Sequence, residues 1–340
     1  MKRSTIGRGT SAAPLASQAA SAGLAALLAL AAGNAAAATT GEWPAKPLRL
    51  ILPAAPGGSS DPTARLLAEE MSKRLGQPIA VFNRPGAGGN VGMAEAARAE
   101  ADGYTIVLSW TGPLATNMAL YKAPGFDSQK DFSPITKVGC VPNIVAVNKD
   151  LPVQNLKDYI ALSKSRPNGL TYGSTGTGSS WHIAGAMIQK EAGANLVHVP
   201  YTSPGTATTD LMSGQLESML PLVIMMAPYV KDGRVKGLAV MSTTRSPVLP
   251  QVPSTRELGM PELVSDTCFA LLTPAGVDKP IIDKLNAVAN QVLTDPQVKA
   301  RLEASGITVE GGTAEHLRDY IKTETTRQAE IVKAINAKAD

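Results

Sequence analysis

The amino-acid sequence predicts an α/β protein of two lobes, each a mixed or parallel sheet flanked by helices, joined by two crossing strands. Three observations carry that reading. Short apolar runs alternate with amphipathic helical patterns, the rhythm of a parallel sheet with helices on its faces. The rhythm is present twice, with strand-like segments near 139–147 and 268–274 beside the second set. Roughly 300 residues remain after an N-terminal leader, a length that favours two lobes over a single core.

The first set opens with the strand "LRLILPA" at 48–54. A helix follows over 62–75, with Ala64, Leu67, Met71 and Leu75 on one face and Gly76 at its end. "PIAVFNR" at 78–84 is a strand, "GAGGNVGMAEAARA" at 86–99 a glycine-rich turn entering a small-residue helix, and "YTIVLSW" at 104–110 a third strand. In the second set "NIVAVN" (143–148), "LTYGS" (170–174), "ANLVHVPY" (194–201) and "VKGLAVMS" (235–242) read as strands. Helices are expected over 155–166, with Leu156, Tyr159 and Ile160 inward, and over 179–193 and 206–215. A proline-rich surface excursion occupies 246–262. The strand "CFALLTPAG" at 268–276 and helices over 279–294, 296–305 and 314–337 complete the chain. The expected domain layout is a signal peptide at 1–38, a first lobe of 43–140 plus 269–340, and a second lobe of 141–268.

The leader reading rests on Lys2, Arg3 and Arg8, an apolar run at 24–32, and the small residues of "NAAAATT" before Gly41. The apolar run is short for a membrane span of about 20 residues. Cleavage in 36–39 would export the mature protein. Losing three basic and no acidic residues takes the formal net charge from +4 to +1. The basic balance therefore belongs mostly to the leader. With only four Phe and no basic–aromatic cluster, nucleic-acid binding is excluded. Cys140 and Cys268 are the only cysteines. An oxidising compartment permits a disulfide between them, while two small buried residues are the alternative. The CxxC spacing of a redox motif is absent.

Two glycine-rich elbows carry the chemistry. In "AAPGGSSDPTAR" a strand enters Gly57, Gly58, Ser59 and Ser60, and Asp61-Pro62 opens a helix. Asp61 suits the N-cap and Pro62 the first helical position. If Asp61 caps its own helix, the amides upstream stay unclaimed, and the helix dipole favours an anion there. Taken alone, this is equally an ordinary capped turn. The second elbow, "YGSTGTGSSWHIAG", repeats the design in the other lobe with Ser174, Thr175, Gly176, Thr177, Gly178, Ser179 and Ser180, and no charged residue. A third turn, "SWTGPLATN", ends a strand with Ser109 and Thr111. Two donor-rich helix starts facing each other across a cleft suit the two ends of a small dianion.

Other chemistries fail on detail. Neither elbow has the lysine of a phosphate-binding P-loop, Trp181 and Val91 occupy the last glycine place of any GxGxxG, and no GxSxG is present. His182, His198 and His316 lack metal spacing, so no metal or cofactor is expected. His198 sits in a strand pattern and reads as a half-buried strand residue. His182, in the first turn after the second elbow, reads equally as a ligand donor or a plain helix residue. No nucleophile, base and oxyanion set is assembled, so an enzyme is not expected. A hydrolase or lyase using His182 with a nearby serine is the rival.

The stretch from "WPAKPLRLILPAAPGGSSDPTAR" to "ADGYTIVLSW" resembles the tripartite tricarboxylate transporter receptors, also called Bug receptors. The likeness continues through "DFSPITKVG", "YGSTGTGSSWHIAG", "VHVPYTSPGTATTDLMSGQLE", "RSPVLPQVPSTRELGMPE" and "LLTPAG", covering nearly the whole mature chain. The resemblance implies a type II periplasmic binding protein fold and an extracytoplasmic solute receptor located, after export by the signal peptide, in the periplasm. Such a receptor holds a small organic carboxylate through backbone amides and delivers it to the permease subunits of a tripartite transporter. A periplasmic sensor feeding a two-component system is the alternative. The family's first binding loop falls on 57–61 and its second on 174–180. Where the family often carries an acidic residue and an asparagine facing the cleft, this chain has Pro221 and Leu222. Cys268 replaces a usual aromatic. Both departures point away from an amino acid and toward a dicarboxylate or aromatic carboxylate, with Pro221 at the site and Met225-Met226 either lining it or in the core. A monomer is expected.

Overall fold

The computed structural model describes residues 43–57 and 60–338. The expected leader, Gly58 and Ser59 lie outside the described residues. β1 (Leu48–Leu52), α1 (Asp61–Leu75), β2 (Ile79–Asn83), α2 (Asn90–Ala97) and β3 (Thr105–Trp110) form a βαβαβ unit, with β1 parallel to both β2 and β3. β1 and β3 are apolar on both faces because helices cover both, as an interior parallel strand requires. On α1, Ala64, Leu67, Met71 and Leu75 are buried as their spacing predicts. Beyond Trp110 a π turn at Gly112–Thr116 runs into α3 (Asn117–Leu120), a helical junction where the sequence reading expected only a turn.

β4 (Phe132–Pro142), β10 (Asp266–Pro274) and β11 (Thr308–Val309) add to this sheet in antiparallel fashion. The strand order is β11-β4-β10-β3-β1-β2. The β4–β10 ladder carries register shifts, and Gly139 sits inside it at φ +150° with the Thr308 backbone where a Cβ would stand. A side chain there would drive β11 off β4.

The second lobe is built from β5 (Ile144–Asn148), α4 (Leu156–Ser165), β6 (Leu170–Ser174), α5 (Ser180–Ala192), β7 (Leu196–Pro200), α6 (Pro204–Ser213), β8 (Ser218–Met219), α7 (Val223–Lys231) and β9 (Val235–Val240). Its sheet has the order β7-β6-β8-β5-β9. Its core gathers Tyr159, Tyr172, Ile188, Leu220 and Met241. Met226 of α7 is buried in the interior.

The chain passes between the sheets at Asn143 and again at Ser265. Asn143 N–H donates to the Ser265 carbonyl (2.9 Å) and Ser265 N–H to Met241 (2.9 Å), while the Asn143 side chain donates to Leu220 (2.6 Å). These bonds satisfy the backbone of two strands crossing side by side. Just inside the first sheet, Cys140 and Cys268 stand opposite each other in register and form a disulfide, which resolves the alternatives left by sequence. α8 (Lys279–Thr294), α9 (Pro296–Ala304) and α10 (Ala314–Ala334) follow. α10 returns across both lobes. Its Ile331 and Val332 pack with Leu120 of the first lobe and Ile183 and Met187 of α5. Among the described residues no helix is long and apolar enough to cross a membrane.

Candidate functional site

Three strand-to-helix junctions converge on one cavity of about 470 Å³. The first lobe contributes Ala54 and Ser60, then Trp110, Thr111 and Gly112, then Asn117, Leu120 and Tyr121. The second contributes Thr177, Gly178, Ser179, Ser180, Ile183 and Leu222. Asp266, Thr267 and Phe269 from the crossing strand and Gln328 from α10 close the remaining wall. The volume suits a small organic molecule.

In the second elbow several donors are spent on the loop itself. Ser174 Oγ accepts from Gly176 N–H (3.0 Å), Gly178 N–H donates to His182 Nδ1 (3.0 Å) and Ser179 N–H to the Gly176 carbonyl (3.2 Å). Ser179 is the N-cap of α5, accepting from His182 N–H. The N–H groups of Thr177, Ser180 and Trp181 donate to no other described residue. They stand at a helix N-terminus, where the dipole favours an anion.

The first elbow departs from its expected cap. Asp61 is the first residue of α1 and Ser60 the cap position, with no side-chain capping bond. The Asp61 carboxylate instead accepts from Gly57 N–H (3.2 Å), Asn83 Nδ2 (3.0 Å) and Arg65 (3.0 Å). These bonds, Arg65 first, hold its carboxyl below the usual range. The Gly57 amide is therefore claimed, contrary to the expectation that it stays free. Asp61 braces the elbow, and among its described residues Ser60 is the member that faces the cavity. At the third junction Thr111 Oγ1 accepts from Cys268 N–H (2.9 Å) and meets Tyr320 Oη at 3.2 Å.

Of the residues predicted from sequence, the cavity brings together Ser60, Thr111, Thr177, Gly178, Ser179 and Ser180. Gly57, Asp61, Ser109, Ser174, Thr175, Gly176 and His182 do not line it, and Gly58 and Ser59 lie outside the described residues. Ser109 is fully buried in β3, its hydroxyl without a partner among the described residues. Pro221 does not face the cavity; its carbonyl accepts from Ile144 N–H (2.9 Å) within the crossing, and Leu222 takes the wall position. The sequence reading missed Asn117, Phe269, Gln328 and Asp266. Asn117 was inside a quoted turn. The others come from segments brought in by β10 and α10, with no local signal.

Behind the second elbow the rings of His182 and His198 stack with centroids 4.0 Å apart. His198 Nε2 lies 2.5 Å from Ser174 Oγ. Burial, then the neighbouring His198, pushes His182 down to about 4, and burial lowers His198 too. Ser174 is fully buried, and no carboxylate bonds either ring among the described residues. A buried serine with no orienting acid is not an activated nucleophile, so the pair serves the loop.

Residues 63–337 match the family described as "Tripartite tricarboxylate transporter family receptor". Protein BugT of Bordetella pertussis (strain Tohama I) is 35% identical over 308 residues, covering 90% of this chain and 94% of that protein. Among solved structures, Rpa4515 of R. palustris with adipate superposes with TM-score 0.73 at 29% identity, covering 86% of this chain and 98% of that one. MatC (Rpa3494) from Rhodopseudomonas palustris with bound malate gives TM-score 0.69 at 29% identity, covering 85% and 100%. The chain belongs to the tripartite tricarboxylate transporter receptor family, whose members are solute receptors and not enzymes.

Proposed function

We propose that the chain is an exported periplasmic receptor that closes over a small organic carboxylate and presents it to the membrane permease subunits of a tripartite tricarboxylate transporter. One observation carries the reading: both lobes aim neutral donors from helix starts at a single cavity. Each N–H to O⁻ bond is charge-assisted, and its donor carries no countercharge of its own. Hinge closure completes the site, because neither lobe alone supplies both sets of donors. Trp110, Leu120, Leu222 and Phe269 give the cavity an apolar flank, which favours a dicarboxylate chain or an aromatic acid over a body that is polar on every side. The relatives solved with adipate and malate support carboxylate as the ligand class.

The test is a thermal-shift screen over mono-, di- and tricarboxylates, aromatic acids and amino acids, using the mature protein. At a hundredfold excess over its dissociation constant a ligand adds about 2.7 kcal/mol of stability, a rise of roughly 5 °C or more. No shift with any carboxylate would sink the proposal.

A further inference from the structure

One wall group has no use in a site built only of neutral donors. Asp266 opens β10 half-buried, with Thr267 and Phe269 beside it on the cavity surface. Among the described residues nothing donates a hydrogen bond to its carboxylate. The one group at hydrogen-bonding distance among the described residues is Sγ of Cys268 at 3.2 Å, and that sulfur, being in the disulfide, has no hydrogen to give.

The charges around Asp266 are already committed. Lys137 of β4 pairs with Glu310 (3.0 Å) and lies 4.2 Å over the Tyr320 ring. Arg327 of α10 grips both oxygens of Glu324 (2.8 and 2.9 Å) and donates to the Val264 carbonyl (2.5 Å). Two cations thus face three carboxylates, and Asp266 is the one left over. Burial, helped by Glu324 and Glu310 and opposed by Lys137 and Arg327, pushes its carboxyl up to about 6. A desolvated acceptor without a donor is unfavourable, and the open side of this one is the cavity.

We propose that Asp266 sets the specificity of the cleft by accepting a hydrogen bond from the body of the ligand, so that the preferred ligand is a carboxylate bearing an N–H or O–H donor. This rests on the receptor reading above and narrows it. The acid ends go to the two elbows; the donor, a hydroxyl or an ammonium, goes to the crossing strand. A plain acid of the same length leaves Asp266 unpaired and sets its charge near the ligand's own.

Isothermal titration with matched acids, succinate against malate and aspartate, and glutarate against 2-hydroxyglutarate and glutamate, tests this. Wild type binds at least one donor-bearing acid at least tenfold tighter than its plain parent. Asp266→Leu removes the acceptor and erases that preference while still binding a plain acid. Asp266→Asn keeps an oxygen acceptor without the charge: it retains a hydroxyl preference and loses an ammonium preference, so the two variants tell which donor is read. Plain acids binding wild type as tightly as every donor-bearing analogue would overturn the proposal. So would an unchanged ranking in Asp266→Leu, with folding of each variant checked by circular dichroism. If no acid in either series or in the wider screen binds, the receptor reading itself falls and takes this proposal with it.

Discussion

His182 shows how the second elbow is tied to protonation. Its ring must stay neutral to accept the Gly178 N–H, and the stacked His198 opposes a charge there as burial does. The folded pKa of about 4 lies below the ordinary 6.5, so the unfolded chain binds the proton more readily. The stabilising contribution is complete above pH 6.5 and is lost as pH falls through about 4. The shift corresponds to on the order of 3 kcal/mol at most. Asp266 works in the opposite sense: its raised carboxyl gains stability as pH falls from about 6 toward the ordinary range. Denaturant unfolding should therefore show a loss between pH 7.5 and 4.5 that shrinks in His182→Gln, whose amide oxygen can still accept from Gly178. An equal loss in that variant would remove His182 as the cause. At this scale the sequence was a partial guide. Glycine, serine and threonine beside a helix start announce themselves locally, which is how Ser60, Thr177 and Ser180 were found. Asp266 did not, because its significance comes from β10 crossing the cleft and from the prior engagement of Lys137 and Arg327, both remote in sequence.

Among the elements, the paired strands β4 and β10 carry the most. Cys140 and Cys268 are 128 residues apart in sequence and opposed in register. Closing so long a loop removes much denatured-state entropy, so replacing both by serine should cost about 2–5 kcal/mol of unfolding free energy. Both cysteines belong to the first sheet, so the bridge does not tie one lobe to the other. Ligand affinity should accordingly change by no more than a few-fold in the double variant. Thiol titration of the unfolded, unreduced protein checks the bridge directly, and two free thiols would refute it. Elements with clean periodicity were legible: β1, α1, α4 and β6 lie within a residue or two of where the pattern put them. In Phe132–Val138 the strand is hidden in the sequence, since Pro134, Lys137 and the following Gly139 break the apolar run, yet the antiparallel partner β10 holds these residues in the ladder. α7 has no clean helical signal in the sequence, since Pro228 lies inside it; its apolar face against the second lobe outweighs the lost hydrogen bond. The Gly112–Thr116 π turn had no pattern to show, being fixed by packing against α10, where Thr116 Oγ1 donates to Gln328.

At the scale of the whole molecule, the proposed receptor mechanism requires two lobes that meet and part, and one contact would report on their meeting. Gly178, in the second elbow at φ +78°, lies against Leu120 of the first lobe, and a Cβ built there would stand 2.4 Å from Leu120 Cδ2. The closed approach therefore needs glycine twice over, for the backbone and for the space. Gly178→Ala meets both obstacles: the left-handed conformation costs about 1–2 kcal/mol in a residue with a side chain, and the methyl group holds Leu120 away. The clash with Leu120 is relieved by opening the cleft, so that part is charged against the approach of the lobes, whereas the backbone cost stays with the second elbow. Affinity for the best carboxylate should fall about tenfold, the equivalent of about 1.4 kcal/mol. Small-angle scattering should show wild type contracting on ligand addition and the variant contracting less. Leu120→Ala in the same chain frees the space but not the backbone, so it should recover part of the loss and no more. If Gly178→Ala bound and contracted like wild type, the junction of Gly178 with Leu120 would not belong to the closing surface, and closure would have to be sought along α5 and α10 instead.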